Sequence, residues 1–395
     1  MGSYTILIGL SIAVILSYLF NLAARATKIP SVLMLLLTGI ALKQVAEYTD
    51  FGLGIPKVVL EIFGIIGLIM IVLEGALDLK LSRDKAPLIR RSFIAAAIML
   101  VVQSVAIAWL LQLYVGGPFQ SCLINAVPLA VVSSAVAIPS VASLAGEKQE
   151  FIIYESTFSD IMGILFFNFA IQDNFAQGAS ILTFSRDVIA VLIVAVVSTA
   201  VLTFLLSRIT LHIKFFLIFA FLILLYSLAK ELHLSSLVLV LAFGLAVNNA
   251  ELFLKGRLRE WFHPERLAND LHQFKNITGE SAFLIRTFFF LLFGFSINLN
   301  SIINITLLEQ GILIVAILTL IRYIFLRYVA KTDLMPELFI APKGLITILL
   351  FYSIPPQHFI GEVSESILFV VILLTGVLMM VGLLITPKQP ELGEY

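Results

Sequence analysis

Residues 150–169 read EFIIYESTFSDIMGILFFNF, an apolar run interrupted by two carboxylates, Glu155 and Asp160. Twenty such residues, wound as an α-helix, are about 30 Å long, the thickness of a bilayer's hydrocarbon layer. Entered from the Glu150 end, such a span carries Asp160 roughly 15 Å in, near its middle. A charge at that depth costs about 2.5–3.5 kcal/mol on insertion scales, so it needs a partner or a task. Ser156 lies one turn before Asp160 and Gly163 nearly one turn after, on the same helical face. A hydroxyl and a carboxylate spaced i, i+4 beside a small residue offer hard oxygen ligands and room for a desolvated cation.

The rest of the chain supports reading this run as one span of many. Its 395 residues are 60% hydrophobic and only 13% charged, with a mean hydropathy of +1.07. Soluble domains are roughly a quarter charged. Backbone in lipid must pair internally, as helices or as a closed barrel. Barrel strands would alternate over about ten residues, and these segments do not alternate. The expected fold is therefore an all-α polytopic membrane protein. The net charge of zero identifies no partner, and nucleic acid is not expected. Cys122 is the one cysteine, which excludes an internal disulfide or a cysteine metal cluster. No phosphate-binding glycine loop, nucleophile elbow or metalloprotease pattern occurs, so neither an enzyme nor a cofactor is expected. The histidines (His212, His233, His263, His272, His358) fall in loops or near span ends and form no ligand spacing.

Thirteen spans are predicted: 4–22, 30–46, 57–79, 87–114, 121–145, 150–175, 184–210, 214–231, 234–248, 281–298, 306–329, 335–355 and 364–386. The polar stretch 249–280, in which Trp261, Phe262 and Leu267 mix with Arg257, Arg259 and Arg266, reads as an amphipathic interfacial segment. The first span is read as a retained helix, because no basic residue precedes it. With its N-terminus outside, 18 of the 25 Lys and Arg lie on the cytoplasmic side, in connections or at the cytoplasmic ends of spans. Four (Lys43, Lys57, Arg186, Lys230) lie outside, and Arg286, Arg322 and Lys343 fall in or at the edge of spans. The positive-inside rule thus predicts N-out, C-in, in a plasma (inner) membrane.

An internal repeat completes the architecture. GLIMIVLEGALDL at the end of span 3 is answered by FFFLLFGFSINL in span 10; Pro128 and Pro139 in span 5 are answered by Pro336, Pro342 and Gly344 in span 12. Each pair is seven spans apart, an odd number, so the halves are inverted. Repeat one covers 4–175, a linker helix 184–210 and repeat two 214–386. Inverted repeats with interrupted helices at matching positions are the pattern of secondary transporters, with the site near the midplane.

The remaining intramembrane groups are placed by depth. Glu155 lies about 140° around the helix from Asp160 and roughly 8 Å from the cytoplasmic end; Arg322 in span 11 lies roughly 10 Å deep. Matching depths pair them as a brace between helices. Lys343, after the proline break in APKGLITILL, serves crossed helix ends or sits near Asp160. Glu74 in VLEGALDL lines the cytoplasmic approach, and Asp78 beside Lys80 and Arg83 is solvated. Ser133, Ser134 and Ser140 surround a break at Pro139, where freed carbonyls and hydroxyls coordinate a cation.

At these residues the chain resembles the monovalent cation:proton antiporter superfamily. Tyr154-Glu155-Ser156-Thr157-Phe158-Ser159-Asp160 is similar to the Glu-Ser-x-x-Asn-Asp motif of its sodium/proton exchangers, with Ser159 in place of Asn. Val132-Ser133-Ser134-Ala135-Val136-Ala137 is similar to the Ser-Ser-Thr-Ala stretch of the potassium-efflux branch and lacks the Thr-Asp-Pro of the sodium/proton branch. Leu320-Ile321-Arg322 resembles the arginine-bearing span ahead of Ala341-Pro342-Lys343-Gly344, which looks like a Leu-Arg-Gly motif with Lys for Arg. Glu74-Gly75 resembles the family's acidic position. The match covers essentially the whole chain.

The resemblance implies crossed broken helices in a moving core part (about 87–175 and 306–386), beside a dimerisation part (about 1–80 and 214–298) in a homodimer. It implies Asp160 as the exchanged carboxylate, Ser156 as a cation ligand and Glu155–Arg322 as a structural ion pair. Ser159 stands where electrogenic relatives carry a second carboxylate, which points to electroneutral exchange. The expected function is Na⁺/H⁺ antiport, with Li⁺ or K⁺ as other cations, by competition of cation and proton for Asp160. The alternatives are a K⁺/H⁺ exchanger of the efflux branch, an ion-coupled organic-acid symporter and a non-transporting membrane sensor.

Overall fold

The computed structural model describes residues 3–48, 57–79, 84–141, 144, 146–172, 186, 189–202, 215–231, 234, 236–249, 264–297, 305–330, 334–361 and 365–386. The first six spans are helices α1 (Ser3–Thr27), α2 (Ser31–Tyr48), α3 (Lys57–Asp78), α4 (Ala86–Val115), the broken pair α5 (Phe119–Ala130) and α6 (Ser134–Ser140), and α7 (Gly146–Ile171). The linker helix is α8 (Ile189–Leu202). The second six are α9 (Phe215–Glu231), α10 (Ser236–Asn248), α11 (Pro264–Ser296), α12 (Ile305–Ile324), the short α13 (Leu345–Tyr352) and α14 (Glu365–Ile385). Each of the thirteen predicted spans thus contains helix among the described residues, and the fold is all-α with two inverted six-span repeats.

Two expectations are corrected. The tenth span begins well before residue 281, because α11 runs unbroken from Pro264. Between Glu265 and Thr278 there is no proline or glycine to stop a helix once Pro264 opens it. The expected interfacial segment is therefore helical from residue 264; Arg257, Arg259, Trp261 and Phe262 lie outside the described residues. The break in span 5 is not at Pro139 either. The helix opens at Val131–Ser133, where Val131 (ψ 134°) and Ser133 (ψ 116°) are extended, and Pro139 sits inside α6. A proline removes the donor for the carbonyl four residues earlier, here Ala135, and that oxygen accepts from Arg286 Nη1 at 3.1 Å. With its carbonyl satisfied in this way, the helix tolerates the proline.

The chain divides into two compact units. One comprises residues 1–61, 87–170 and 286–395, the other 62–86 and 171–285. In the first, α12 lies along α14, α1 along α2, and α13 against α5. The Ser17 and Thr287 hydroxyls meet at 2.6 Å, satisfying each other between α1 and α11. In the second, α9 packs on α10, Phe219 of α9 meets the Phe274 ring of α11 with centroids 5.7 Å apart, and the Asn248 and Asn249 amides donate to Leu79 O beyond the end of α3.

Burial follows the membrane rule rather than the aqueous one. Ile8, Ile12, Ile15, Leu19 and Leu22 of α1 are exposed, as are Ile189, Leu192, Ile193, Val196 and Val197 of α8. Buried positions include Gln103, Asn125, Glu155, Asp160, Arg322 and Lys343. Apolar side chains face the lipid, while polar ones must find partners inside.

Candidate functional site at the crossed broken helices

Helix α5 ends at Ala130 and α6 starts at Ser134, leaving Val131–Ser133 unwound. In the other repeat, Ile340–Gly344 is non-helical before α13. The two unwound stretches meet, with Ser133 N–H donating to Pro342 O at 2.9 Å. Bare backbone inside a membrane is tolerated only where protein satisfies it, and most of the freed groups here are accounted for. Val132 N–H donates to Ser159 Oγ at 2.9 Å, and Ser134 N–H donates to Asp160 Oδ2 at 3.0 Å. Lys343 N–H donates to Thr375 Oγ1 at 3.1 Å, and Gly344 N–H donates to Thr347 Oγ1 at 3.4 Å. Consecutive residues of α7, Ser159 and Asp160, thus hold the opened strand of span 5.

Asp160 is 8% exposed. Its Oδ2 also accepts from the Ser134 hydroxyl at 2.5 Å, so the carboxylate caps the N-terminus of α6, where backbone donors point outwards. Its Oδ1 is buried without a hydrogen-bond partner, and so is Ser133 Oγ. Each is an oxygen held out of water with lone pairs unused. Of the three serines expected as cation ligands with Asp160 (Ser133, Ser134 and Ser156), Ser134 is the one hydrogen-bonded to it. Ser156 donates instead to its own helix, to Ile152 O at 2.7 Å and Ile153 O at 3.2 Å. Its hydroxyl oxygen still has lone pairs to offer.

Two glycines permit the crossing. A Cβ on Gly344 would stand 2.6 Å from Ser133 Oγ and 2.8 Å from Val136 Cγ2. A Cβ on Gly163 would run into the Val131 side chain, so α7 approaches the opened strand closely only because that position is bare.

Arg322 and Glu155, each 1% exposed, form a bidentate pair with Nη1–Oε1 2.5 Å and Nη2–Oε2 2.8 Å. Arg322 Nε is used as well, donating to Glu337 O at 2.7 Å. Five donors in a planar fork suit this arrangement: one arginine ties α12 to α7 and to the turn ahead of α13. Lys343 lies at the crossed helix ends. Its ammonium donates to Ala130 O at 2.8 Å, capping the C-terminus of α5, where partial negative charge accumulates.

Glu74 lies in the other unit, half-buried on a cavity of about 370 Å³ with Leu77, Lys275, Asn276, Gly279 and Glu280. Asp78 has no described side chain, and Lys80 and Arg83 lie outside the described residues. Sequence reasoning missed Thr375 and the carbonyl of Glu337, which no pattern signals. It also left Arg286 without a role, although a guanidinium within a span was itself a signal.

A helical membrane protein whose two interrupted spans cross beside a buried, incompletely satisfied carboxylate has the build of a secondary transporter. The sodium/hydrogen exchanger transmembrane family matches residues 10–387, and the chain belongs to that family. Among solved structures it is similar to the sodium proton antiporter MjNhaP1 from Methanocaldococcus jannaschii at pH 8, with a TM-score of 0.72 at 20% identity, over 96% of this chain and 100% of that one. An electron-microscopy structure of the same antiporter gives a TM-score of 0.68 at 17% identity, over 96% and 95%. At those identities the likeness speaks for the fold. No curated protein matches the sequence.

Proposed function

We propose that this chain exchanges a monovalent cation, Na⁺ first, for H⁺, and that both compete for Asp160. The observation that carries the reading is the carboxylate itself, 8% exposed at the crossing with Oδ1 unpartnered. An anion out of water needs a neutralising partner, and a proton or a dehydrated alkali cation serves equally. Neutralised, the core crosses the membrane; empty and charged, it stays. Ser133 Oγ and Ser156 Oγ are the further oxygen ligands, Glu74 lines the approach, and Ser134 holds the carboxylate between loads. With Ser159 in place of a second acid, one charge is exchanged for one. The working unit is a homodimer in the inner membrane, N-terminus outside. Residues 1–80 and 214–298 hold the dimer, and 87–175 and 306–386 form the moving core.

The test is reconstitution in liposomes with an internal pH dye, pulsed with Na⁺, Li⁺ and K⁺. Sodium or lithium pulses release the dye signal, and Asp160→Asn does not respond. If no cation moves protons, or if that variant exchanges at full rate, the reading fails. A response to K⁺ alone favours the efflux-branch alternative, to which the Ser133-Ser134-Ala135 run points. A response requiring an organic acid favours symport, and no coupled flux of any kind leaves a sensor.

A further inference from the structure

We propose that Lys28 sets the apparent affinity for the cation: a fixed positive charge on the wall of the cation's entry cavity governs how much cation enters from that side. The inference rests on the antiport reading above. A cavity of about 430 Å³ in the first unit is lined by the α1–α2 junction, including Asn21, Lys28 and Ser31, and by Ala135, Val136 and Ser140 of α6. Its lining thus includes Ala135 and Val136, the two residues that follow Ser134, the residue bound to Asp160. The α1–α2 junction lies on the face predicted to be cytoplasmic.

Lys28 is the one non-glycine residue with positive φ among those described, at 60°. A β-carbon makes that conformation uncommon, and it persists only where the surroundings hold it. The surroundings here are visible. Its N–H donates to Ala24 O at 2.8 Å, ending α1, and its ammonium donates at 2.5 Å to Leu383 O in the last turn of α14, where a cation is favoured. The backbone turn and the carbonyl together hold the charged side chain of this cavity-lining residue in place instead of letting it swing into water. A low-dielectric cleft concentrates the field of such a charge, which opposes cation entry and leaves neutral species unaffected. The ammonium thus raises the cation concentration needed for half-maximal exchange without touching the binding oxygens.

The experiment measures Na⁺-driven proton release in liposomes sorted by orientation, for wild type, K28R, K28Q and N21D, in low salt and with added choline chloride. In low salt K28Q lowers the apparent KM for Na⁺ about two- to fivefold, as removal of one screened charge at this range should, with kcat unchanged. The effect appears only when Na⁺ is supplied from the side on which the cavity opens. K28R keeps the wild-type KM. N21D, which adds an anion to the same wall and leaves the Lys28 bond intact, lowers KM as well, so the proposal stands or falls on it even if K28Q does not assemble. Choline chloride shrinks both differences. An unchanged KM in K28Q or N21D, or a shift that survives high salt, overturns the proposal. A lower thermal midpoint with unchanged KM reduces Lys28 to a helix cap. If wild type itself moves no protons with any cation, the antiport reading fails, which is a different outcome.

Discussion

Asp160 differs from the other buried acid of its helix as an available charge differs from a paired one. Glu155 shares both oxygens with Arg322, whereas Asp160 has one oxygen on Ser134 and one without a partner. Two acids five residues apart on one helix are thereby given different work. If proton and cation compete for Asp160, lowering the pH raises the apparent KM for Na⁺ and leaves the maximal rate at saturating Na⁺ unchanged. A maximal rate that falls with KM held constant would separate the two sites and refute the competition. The brace predicts differently: Glu155→Ala leaves an unpaired buried guanidinium and costs about 3–5 kcal/mol, read as a large fall in the thermal midpoint in detergent. Asp160→Asn, which removes no pair, changes that midpoint little. Asp160 was legible from depth alone, because an acid at mid-bilayer stands out in a sequence. Ser134 as its nearest hydroxyl was not, since 26 residues separate them and only the crossing brings them together.

At the element scale, the crossing is made by two opened spans and by the side chains that replace their lost helical hydrogen bonds. The prolines announced that spans 5 and 12 are interrupted, but in span 5 they misplaced the opening. Pro128 and Pro139 both lie inside helical segments, and the chain unwinds between them, where Ser159, Pro342 and Asp160 supply acceptors for three successive N–H groups. Local chemistry says where a helix loses a bond; tertiary partners decide where it is worth opening. Gly344 is the sharpest test. Gly344→Ala places a methyl within 3 Å of Ser133 and Val136, an overpacking of about 1–3 kcal/mol, and exchange falls strongly while the protein still inserts. Equal exchange in Gly344→Ala would mean that the strands can separate without harm. Ser159→Ala orphans the Val132 N–H, costing about 1–3 kcal/mol, and Ser159→Asn, which restores an acceptor, recovers the thermal midpoint.

For the whole molecule, the thirteen spans, the inverted halves and the all-α fold were readable because lipid allows so few solutions. The long helix α11 was not, because a polar amphipathic stretch looks alike whether it lies on a membrane or extends a span. Orientation and stoichiometry are properties of the whole chain and are tested there. With Cys122 replaced by Ala, a single cysteine at Tyr4, which is 81% exposed, reacts with an impermeant maleimide from outside intact cells; one at Thr386 reacts only after permeabilisation. The reverse pattern would invert the topology. Under a valinomycin clamp, one-for-one exchange runs at the same rate at any imposed potential, and a rate that follows the potential would require a second charge on the moving core.

Residence in a bilayer, the number of crossings, the inversion of the halves and the charges too deep to be idle are all legible in the order of the amino acids. Those properties follow from length, hydropathy and the cost of burying charge, all local to a segment. Which hydroxyl holds Asp160, which carbonyl Lys343 caps and where span 5 opens emerge once the helices are packed against one another. Each depends on groups brought together across dozens to hundreds of residues, in a medium without water to offer any other partner.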